Sequence, residues 1–585
     1  MKYLFRCAIG PVQEFIAAAR RSRDLQYGSW LLSELAKAGA RAIAKAEGLE
    51  SLIFPAPKAK SDLEPGSALN VPNVIQAIIT TSPETLGTEV EQAIRQRLND
   101  LAAPVFQRLE RTSGQNFRRA VAERQIADLL EFYWVAVPLT EDYKQARRQA
   151  TTLLAVRKNT RNFSPSLGEM VPKSSLDASR ESVIDEKAYP DAQHDSPEVQ
   201  KEKIIRLYQV FGARRGERLS GVDLLKRLGE IPQKSEFPST SKLAAEPFIE
   251  GLTSGAWDEI RRNLRSWVNS WANGSGSEIF KDNDAILLYP SRMAEVLDEE
   301  ALSHYQSYLA GLLKQYAEGK TPGTYYALLL ADGDNMGKQL DALETAERHQ
   351  DLSQKLSAFA AKAHKIIQQH NGTPIYLGGD DIMAYLPLHT ALDCMQVLGE
   401  TFSSTIDNGT LSGSLVIAHH LEPLSEVLQR ARAGEKCAKD VDGKNGLCII
   451  YSKRSGADRE IVAKWPDLLK RLQRLAHYHR LRILSRGAAY ELQQMYDRLQ
   501  GIDLAPDKQK DMMNAEALRI IRRKRQSGGH EDLPKAVREC LETWLQEISI
   551  KELAQEMIVA LEFAKAQDLA NAPLANFPEC KEAAK

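Results

Sequence analysis

Tyr325-Tyr326-Ala327-Leu328-Leu329-Leu330-Ala331-Asp332-Gly333-Asp334, followed further on by Tyr376-Leu377-Gly378-Gly379-Asp380-Asp381-Ile382, is the part of the sequence that decides the fold. The first run is continuously apolar and of buried-strand type. Ser353 to His370 then has helical spacing and stops at Asn371-Gly372, which suits a helix C-terminus. Two strands flank Gly378-Gly379, which is hairpin chemistry. A helix (Ala391 to Ile406), a strand (Leu411 to His419), a helix (Leu424 to Lys439) and a strand (Leu447 to Tyr451) follow. The order is β-α-β-β-α-β with an added helix and strand, and it predicts a ferredoxin-like palm over residues 316–455.

If the first strand continues to its acids, Asp332 and Asp334 share one face at its end and point toward solvent. The hairpin is the neighbouring element in this sheet order, so Asp380 and Asp381 join them as a cluster of four acids. Isolated aspartates repel one another, and divalent ions make such a cluster tolerable. Two ions held by shared carboxylates can activate an attacking hydroxyl and stabilise a leaving pyrophosphate, the chemistry of nucleotidyl transfer. Gly378 and Gly379 permit a tight turn and leave room for a phosphate, and Gly333 and Gly337 let one rest against the following helix start. Lys436 and Lys439, with Lys444 beyond, suit phosphate neutralisation; a solvated helix face explains the same lysines. Gly-Gly-Asp-Asp alone reads as a surface hairpin, and the upstream Asp332-Gly333-Asp334 is what gives it meaning.

Outward from this palm, residues 456–585 read as an α-helical bundle, with helices at Leu468 to Leu484 and Glu491 to Leu499 and a basic one around Arg519 to Arg525. Residues 151–315 form a looser connector with polar clusters such as Ser164-Pro165-Ser166. Residues 1–150 begin with a short strand and a long helical stretch from Val12 to about Glu47. A strand at Val74 to Thr80, helices at Glu84 to Arg111 and Arg118 to Glu131, and a strand at Phe132 to Leu139 follow.

The 585 residues suit three or four domains at roughly 150 residues each. Lys and Arg total 77 against 78 Asp and Glu, so no global excess of charge attracts a polyanion or a membrane surface. The six cysteines are scattered without a two-residue gap, so disulfides are not expected. With no signal peptide or membrane span in view, the expected location is cytoplasmic.

Ala331 to Gly337 and Leu377 to Asp381 together resemble the catalytic palm of the large subunit of type III CRISPR RNA-guided effector complexes. Gly10-Pro11-Val12-Gln13-Glu14-Phe15-Ile16, Arg23-Asp24-Leu25 and Gly28-Ser29 resemble the opening of the first palm in its Cmr branch. Gly216-Glu217-Arg218-Leu219 and Phe237-Pro238-Ser239-Thr240-Ser241 resemble its middle region. The resemblance implies an α+β multidomain chain with two ferredoxin-like palms, a connector and a C-terminal helical bundle. It implies that ATP is joined into cyclic oligoadenylate when guide RNA pairs with target RNA in a complex with other subunits. Asp332, Asp380 and Asp381 are then catalytic ligands of Mg2+ or Mn2+ in a two-metal site, with Asp334 as an additional acid. Gly333, Asn335, Gly337, Gly378, Gly379, Lys436 and Lys439 form the nucleotide side.

In the first half, a degenerate palm is expected: Ala8-Ile9-Gly10-Pro11 stands where the second carries its acids, and Asn70-Val71-Pro72-Asn73 near the hairpin. Its expected role is a wall of the acceptor pocket, facing the catalytic palm. Many relatives open with an HD nuclease, but here the palm starts at residue 3 and His194-Asp195 sits in the connector, so no HD-type DNase is expected. Relatives often carry cysteine pairs in the middle domain; here Lys173-Ser174-Ser175 and Leu219-Ser220-Gly221-Val222-Asp223 stand in their place, so no zinc is expected. The basic stretches Lys470 to Arg486 and Arg519 to Lys524 suit RNA, an acidic subunit or plain solvation, with His477, Tyr478 and His479 adding stacking potential. A lone cyclase and a nucleotide-binding scaffold without turnover are the competing functions.

Overall fold

The computed structural model describes residues 1–139, 141–160, 168–232, 238–274, 276, 279–280, 283–502, 506–523, 534–575 and 577. Ser164 to Ser166, Phe237, Lys524 and Cys580 lie outside the described residues.

The first unit runs β1 (Tyr3–Gly10), α1 (Gln13–Ala17), α2 (Ser22–Glu47), β2 (Leu52–Phe54), β3 (Val74–Ile79), α3 (Pro83–Thr112), α4 (Arg119–Ala127), β4 (Glu131–Pro138) and α5 (Tyr143–Asn159). Its sheet has the order β2-β3-β1-β4 and is antiparallel throughout. This is the ferredoxin-like arrangement. The single helix expected from Val12 onward is two. Asp24 Oδ2 accepts the backbone N–H groups of Arg20 and Arg21 at 3.2 and 3.1 Å, and an acid capping free donors starts a fresh helix there.

Six helices follow: α6 (Pro197–Phe211), α7 (Gly221–Leu228), α8 (Thr240–Glu250), α9 (Ala256–Trp271), α10 (Pro290–Met293) and α11 (Glu299–Tyr316). Helix α7 is pinned to the first palm by charge. The Arg227 guanidinium, 2% exposed, donates to both oxygens of Asp24 on α2 at 2.6 and 2.8 Å and to Glu217 at 3.1 Å. The two stretches that stand where relatives carry cysteine pairs do meet. Asp223 Oδ2 accepts from the Ser174 and Ser220 hydroxyls, each at 2.6 Å, so a buried polar knot joins them. His194 and Asp195 do not act as a pair: His194 bonds Asp191 at 2.8 Å, and Asp195 takes Lys203 at 2.7 Å.

The second palm runs β5 (Tyr325–Gly333), α12 (Met336–Ala342), α13 (Ala346–Gln369), β6 (Thr373–Leu377), β7 (Ile382–Leu386), α14 (Leu388–Thr405), β8 (Leu411–His419), α15 (Leu424–Lys439), β9 (Gly446–Tyr451) and β10 (Arg459–Lys464). The sheet order is β10-β9-β8-β5-β7-β6, so the run β6-β7-β5-β8 repeats the order β2-β3-β1-β4 of the first palm, with β9 and β10 added beyond β8. The β8-to-β9 connection through α15 joins parallel strands. Strand β10 falls where helix was expected to begin. Its short alternation, with Ile461 buried, pairs it antiparallel to β9 along the whole of that strand.

Central strand β5 is apolar on both faces because each face meets a separate core. Tyr326 and Leu328 enter a core shared with the first palm, the connector helices and α15. Ala327, Leu329 and Ala331 enter one built from α13, α14 and the C-terminal helices. Those are α16 (Trp465–Arg480), α17 (Arg486–Leu499), α18 (Pro506–Arg523), α19 (Lys535–Glu547) and α20 (Ile550–Leu569). The two palms meet where β2 and α5 rest against α12 and α13. Gln350 Nε2 donates to the Leu52 carbonyl at 2.8 Å, Ser353 Oγ accepts from Ala56 N at 3.0 Å, and Arg147 pairs with Asp341 at 2.5 Å.

The basic C-terminal stretches are mostly committed inside the protein. Arg471 pairs with Glu556, Arg480 with Asp568, Arg519 with Glu516 and Arg523 with Glu491. His477, Tyr478 and His479, too sparse for a single-strand binding platform, are buried, and α16 takes them into the bundle.

Candidate active site

Strand pairing continues to the end of β5 and past it. Asp332 lies opposite Ser412 and Gly333 opposite Leu411, and the Asp334 N–H donates to the Thr410 carbonyl at 2.8 Å. Asp332 therefore follows Tyr326 and Leu328 onto the α15 side of the sheet. On the next strand pair, Gly378 N donates to the Asp381 carbonyl at 3.1 Å, and Gly379 closes the turn at φ +92°, a left-handed value that glycine adopts without strain. Gly333 is needed for a different reason. A Cβ there would lie 2.9 Å from both the Asp380 Cβ and the Phe402 ring, so only glycine lets the end of β5 approach the hairpin. The result is a triad: Asp332, Asp380 and Asp381 each offer an oxygen within 4.8 Å of the others.

Burial, and then the neighbouring carboxylates, push the Asp380 and Asp381 carboxyls far above the usual range. One cation already leans on the group. Lys439, near the end of α15, contacts Asp332, and it is also paired with Glu435 at 2.7 Å. These two carboxylates outweigh its burial and hold its ammonium well above the ordinary lysine value. Three acids gathered around less than one full positive charge are what a divalent ion neutralises, and their hard oxygen atoms suit Mg2+ or Mn2+. The residues present fit such an ion.

Asp334 stands apart from the triad. It is 2% exposed rather than directed to solvent, because its Oδ2 accepts from Thr410 Oγ1 at 2.7 Å, Ser412 Oγ at 3.0 Å and Asn445 N at 2.9 Å. It thereby ties down the loop that follows Lys439. Asn335 takes a left-handed conformation (φ +57°) that turns the chain into α12, and Gly337 faces open space. Lys436 is exposed on α15 and, among the described residues, has no ion-pair partner, whereas Lys439 has two. Two residues at the site went unremarked in the sequence. The Tyr376 hydroxyl occupies the space a Gly378 side chain would take, and Asp381, Asp380 and Asp332 join burial in pushing that phenol up. Alternation does not reveal it, because the register shifts between Pro374 and Tyr376: Ile375 and Tyr376 both pack on the core shared with the first palm, and Leu377 on the other. Glu435 was legible only as the residue one turn before Lys439.

In the first palm Ile9 and Asn73 close the equivalent junction, and one carboxylate, Glu131, stands opposite Gly10 on β4. Ile9 N donates to the Asn73 carbonyl at 2.9 Å and Asn73 Nδ2 returns a bond to Ile9 O at 3.3 Å.

Two ferredoxin-like palms, one with a carboxylate triad at the end of its central strand and one without, define a double-palm protein. Residues 325–448 match the family model of the Cas10/Cmr2 second palm domain, and residues 4–103 that of the CRISPR-associated protein Cmr2 N-terminal region. The CRISPR system Cmr subunit Cmr2 of Pyrococcus furiosus is 30% identical over a stretch covering 29% of this chain and 23% of that protein. The chain thus aligns with less than a quarter of the length of this curated relative. A cryo-EM structure of type III-B Cmr-beta in the apo state matches with a TM-score of 0.66 at 14% identity, over 97% of this chain and 82% of that one. Type III-B Cmr-beta bound to cognate target RNA matches with a TM-score of 0.64 at 14% identity, over 96% and 83%. The chain is thus similar to Cas10/Cmr2 proteins over residues 4–103 and 325–448, and to type III-B Cmr-beta in fold.

Proposed function

We propose that this protein is a metal-dependent nucleotidyltransferase subunit of a type III effector complex that converts ATP to cyclic oligoadenylate on target RNA recognition, for antiviral defence. The observation that carries this reading is the triad of Asp332, Asp380 and Asp381, gathered within 4.8 Å at the end of a palm strand. In the reaction a ribose 3′-oxygen bonds to the α-phosphorus of ATP, the α–β anhydride bond breaks, the hydroxyl proton passes to solvent and pyrophosphate leaves. Held by the three carboxylates, divalent cations supply activation of the hydroxyl and neutralisation at the leaving group. Lys439 presents an ammonium beside Asp332 for a substrate phosphate. Gly337, at the start of α12, faces open space in which a phosphate can rest. Asp334 positions the loop after α15 from behind, and the first palm, lacking such a triad, serves as a wall for the acceptor nucleotide.

Guide RNA, target RNA and companion subunits are the partners this reading requires, and the type III-B structure with target RNA supports them by similarity of fold. Among the described residues no helix is long and apolar enough to cross a membrane. The test is to incubate the purified protein with ATP and Mg2+ or Mn2+, with and without its guide-bearing complex and matching RNA, and to resolve products by mass spectrometry. Target-dependent oligoadenylates are expected. Tight ATP binding with no product in any condition contradicts the reading and favours a nucleotide-binding scaffold.

A further inference from the structure

A cavity of about 300 Å³ lies where the start of α2, the end of α6, the end of α7 and the start of α8 converge. It is remote from the acidic triad. Its wall residues Ser241 and Arg292 bond His420, next to the His419 that pairs with Tyr325 at the opposite end of β5 from Asp332. The seven residue steps from Tyr325 to Asp332 place the two sites roughly 23 Å apart along the sheet.

The lining is dominated by arginine. Arg20, Arg21, Arg23, Arg108, Arg214 and Arg292 all face it, beside the committed Arg227, while Glu230 is the one acid in its wall among the described residues. Neighbouring acids are already engaged: Asp24 and Glu217 by Arg227, and Glu295 by Arg214 and Arg292. Arg20 and Arg108, both exposed at the mouth, have no ion-pair partner among the described residues. Burial first, and then the charge of Arg227, push the Arg21 guanidinium down to about 10, although it pairs with Glu217 at 3.4 Å. Two further features point to a ligand. The Tyr208 hydroxyl is buried, with the residue 6% exposed, and has no hydrogen-bond partner among the described residues. Ser22 and Ser239 to Ser241 bring the positive ends of α2 and α8 to the same space.

We propose that this cavity is a second anion site that takes the phosphate of a mononucleotide-sized ligand. The arginines and helix starts receive the phosphate oxygens, and the Tyr208 hydroxyl supplies one further donor. The volume is at the lower end of small-ligand pockets and matches one nucleotide rather than a strand. The inference stands independently of the activity at the triad.

The test uses the full chain carrying Asp380→Ala and Asp381→Ala, in EDTA, so that binding at the triad is suppressed. Calorimetric titration with AMP, pyrophosphate and adenosine separates the chemistries. AMP and pyrophosphate are expected to bind with strong salt dependence and adenosine not to bind. Arg20→Ala combined with Arg108→Ala is expected to weaken AMP by about tenfold or more while leaving the melting temperature unchanged, since both side chains are exposed. Tyr208→Phe is expected to weaken AMP severalfold without loss of stability, because its hydroxyl has no hydrogen-bond partner among the described residues. Pyrophosphate binding without AMP binding would overturn the nucleotide-sized ligand. Adenosine binding as tightly as AMP, AMP affinity unmoved by the arginine substitutions, or no binding of either phosphate would overturn the site.

Discussion

Asp334 lies two residues from Asp332, yet its Oδ2 accepts the backbone N–H of Asn445, 2.9 Å away, and takes no place in the triad. The two aspartates of one short motif therefore do different work. Asp334→Ala leaves the Thr410 and Ser412 hydroxyls and the Asn445 N–H without their acceptor in a buried setting. A loss of about 2–4 kcal/mol in urea denaturation is expected. Asp381→Asn, which relieves repulsion, is expected to cost no stability under the same metal-free conditions. Equal losses from both would contradict this division.

The raised carboxyls of Asp380 and Asp381 carry a pH signature. Between the ordinary carboxylate range and the higher native values, the folded protein binds more protons than the unfolded chain, so these groups make metal-free stability fall as pH rises. A divalent ion removes that penalty. The rise in melting temperature on adding Mn2+ to EDTA-treated protein is expected to be larger at pH 8 than at pH 5.5, and to vanish in Asp380→Asn/Asp381→Asn.

At the contact between α7 and the first palm, one guanidinium neutralises two buried acids. Although burial opposes ionisation of Glu217, the guanidinium charges of Arg227, Arg21 and Arg214 hold its carboxyl well below the usual range; for Asp24, Arg227 again leads the opposition to burial. Arg227→Met leaves two buried carboxylates without their shared cation and is expected to cost about 3–5 kcal/mol. Urea denaturation of the variant against the parent measures it.

At the junction of the palms, the Tyr143 hydroxyl and His349 Nδ1 are 2.7 Å apart. Burial, and then the charges of Arg147 and Arg6, push the His349 imidazole down to about 4. Its folded value is depressed below the unfolded one near 6.5, so the stability this neutral histidine contributes is complete above that value and is lost as pH falls toward 4. His349→Gln does not titrate. The stability difference between parent and variant is expected to shift by about 2–3 kcal/mol against the parent between pH 7 and pH 4, and a pH-independent difference would contradict the assignment.

Much of the second palm could be read in advance because its signals are local. The bounds of β8 and α15 are those expected, and the glycines of the hairpin mark a real turn. What escaped reading depends on contacts distant in sequence. Strand β10 is held by pairing to β9, and its own alternation is too short to betray it. The break between α1 and α2 is made by Asp24, which a composition rich in helix formers conceals. The burial of Asp334 follows from Thr410, Ser412 and Asn445, residues that the motif does not contain. Tyr376 reaches the acids only because the hairpin folds it back over Gly378.

The most direct test of the central claim is synthesis by the assembled, target-activated complex carrying Asp380→Ala and Asp381→Ala. The account predicts that oligoadenylate formation from ATP falls below detection while assembly and target RNA binding are unchanged. Undiminished synthesis, or loss of assembly in place of loss of synthesis, would contradict it.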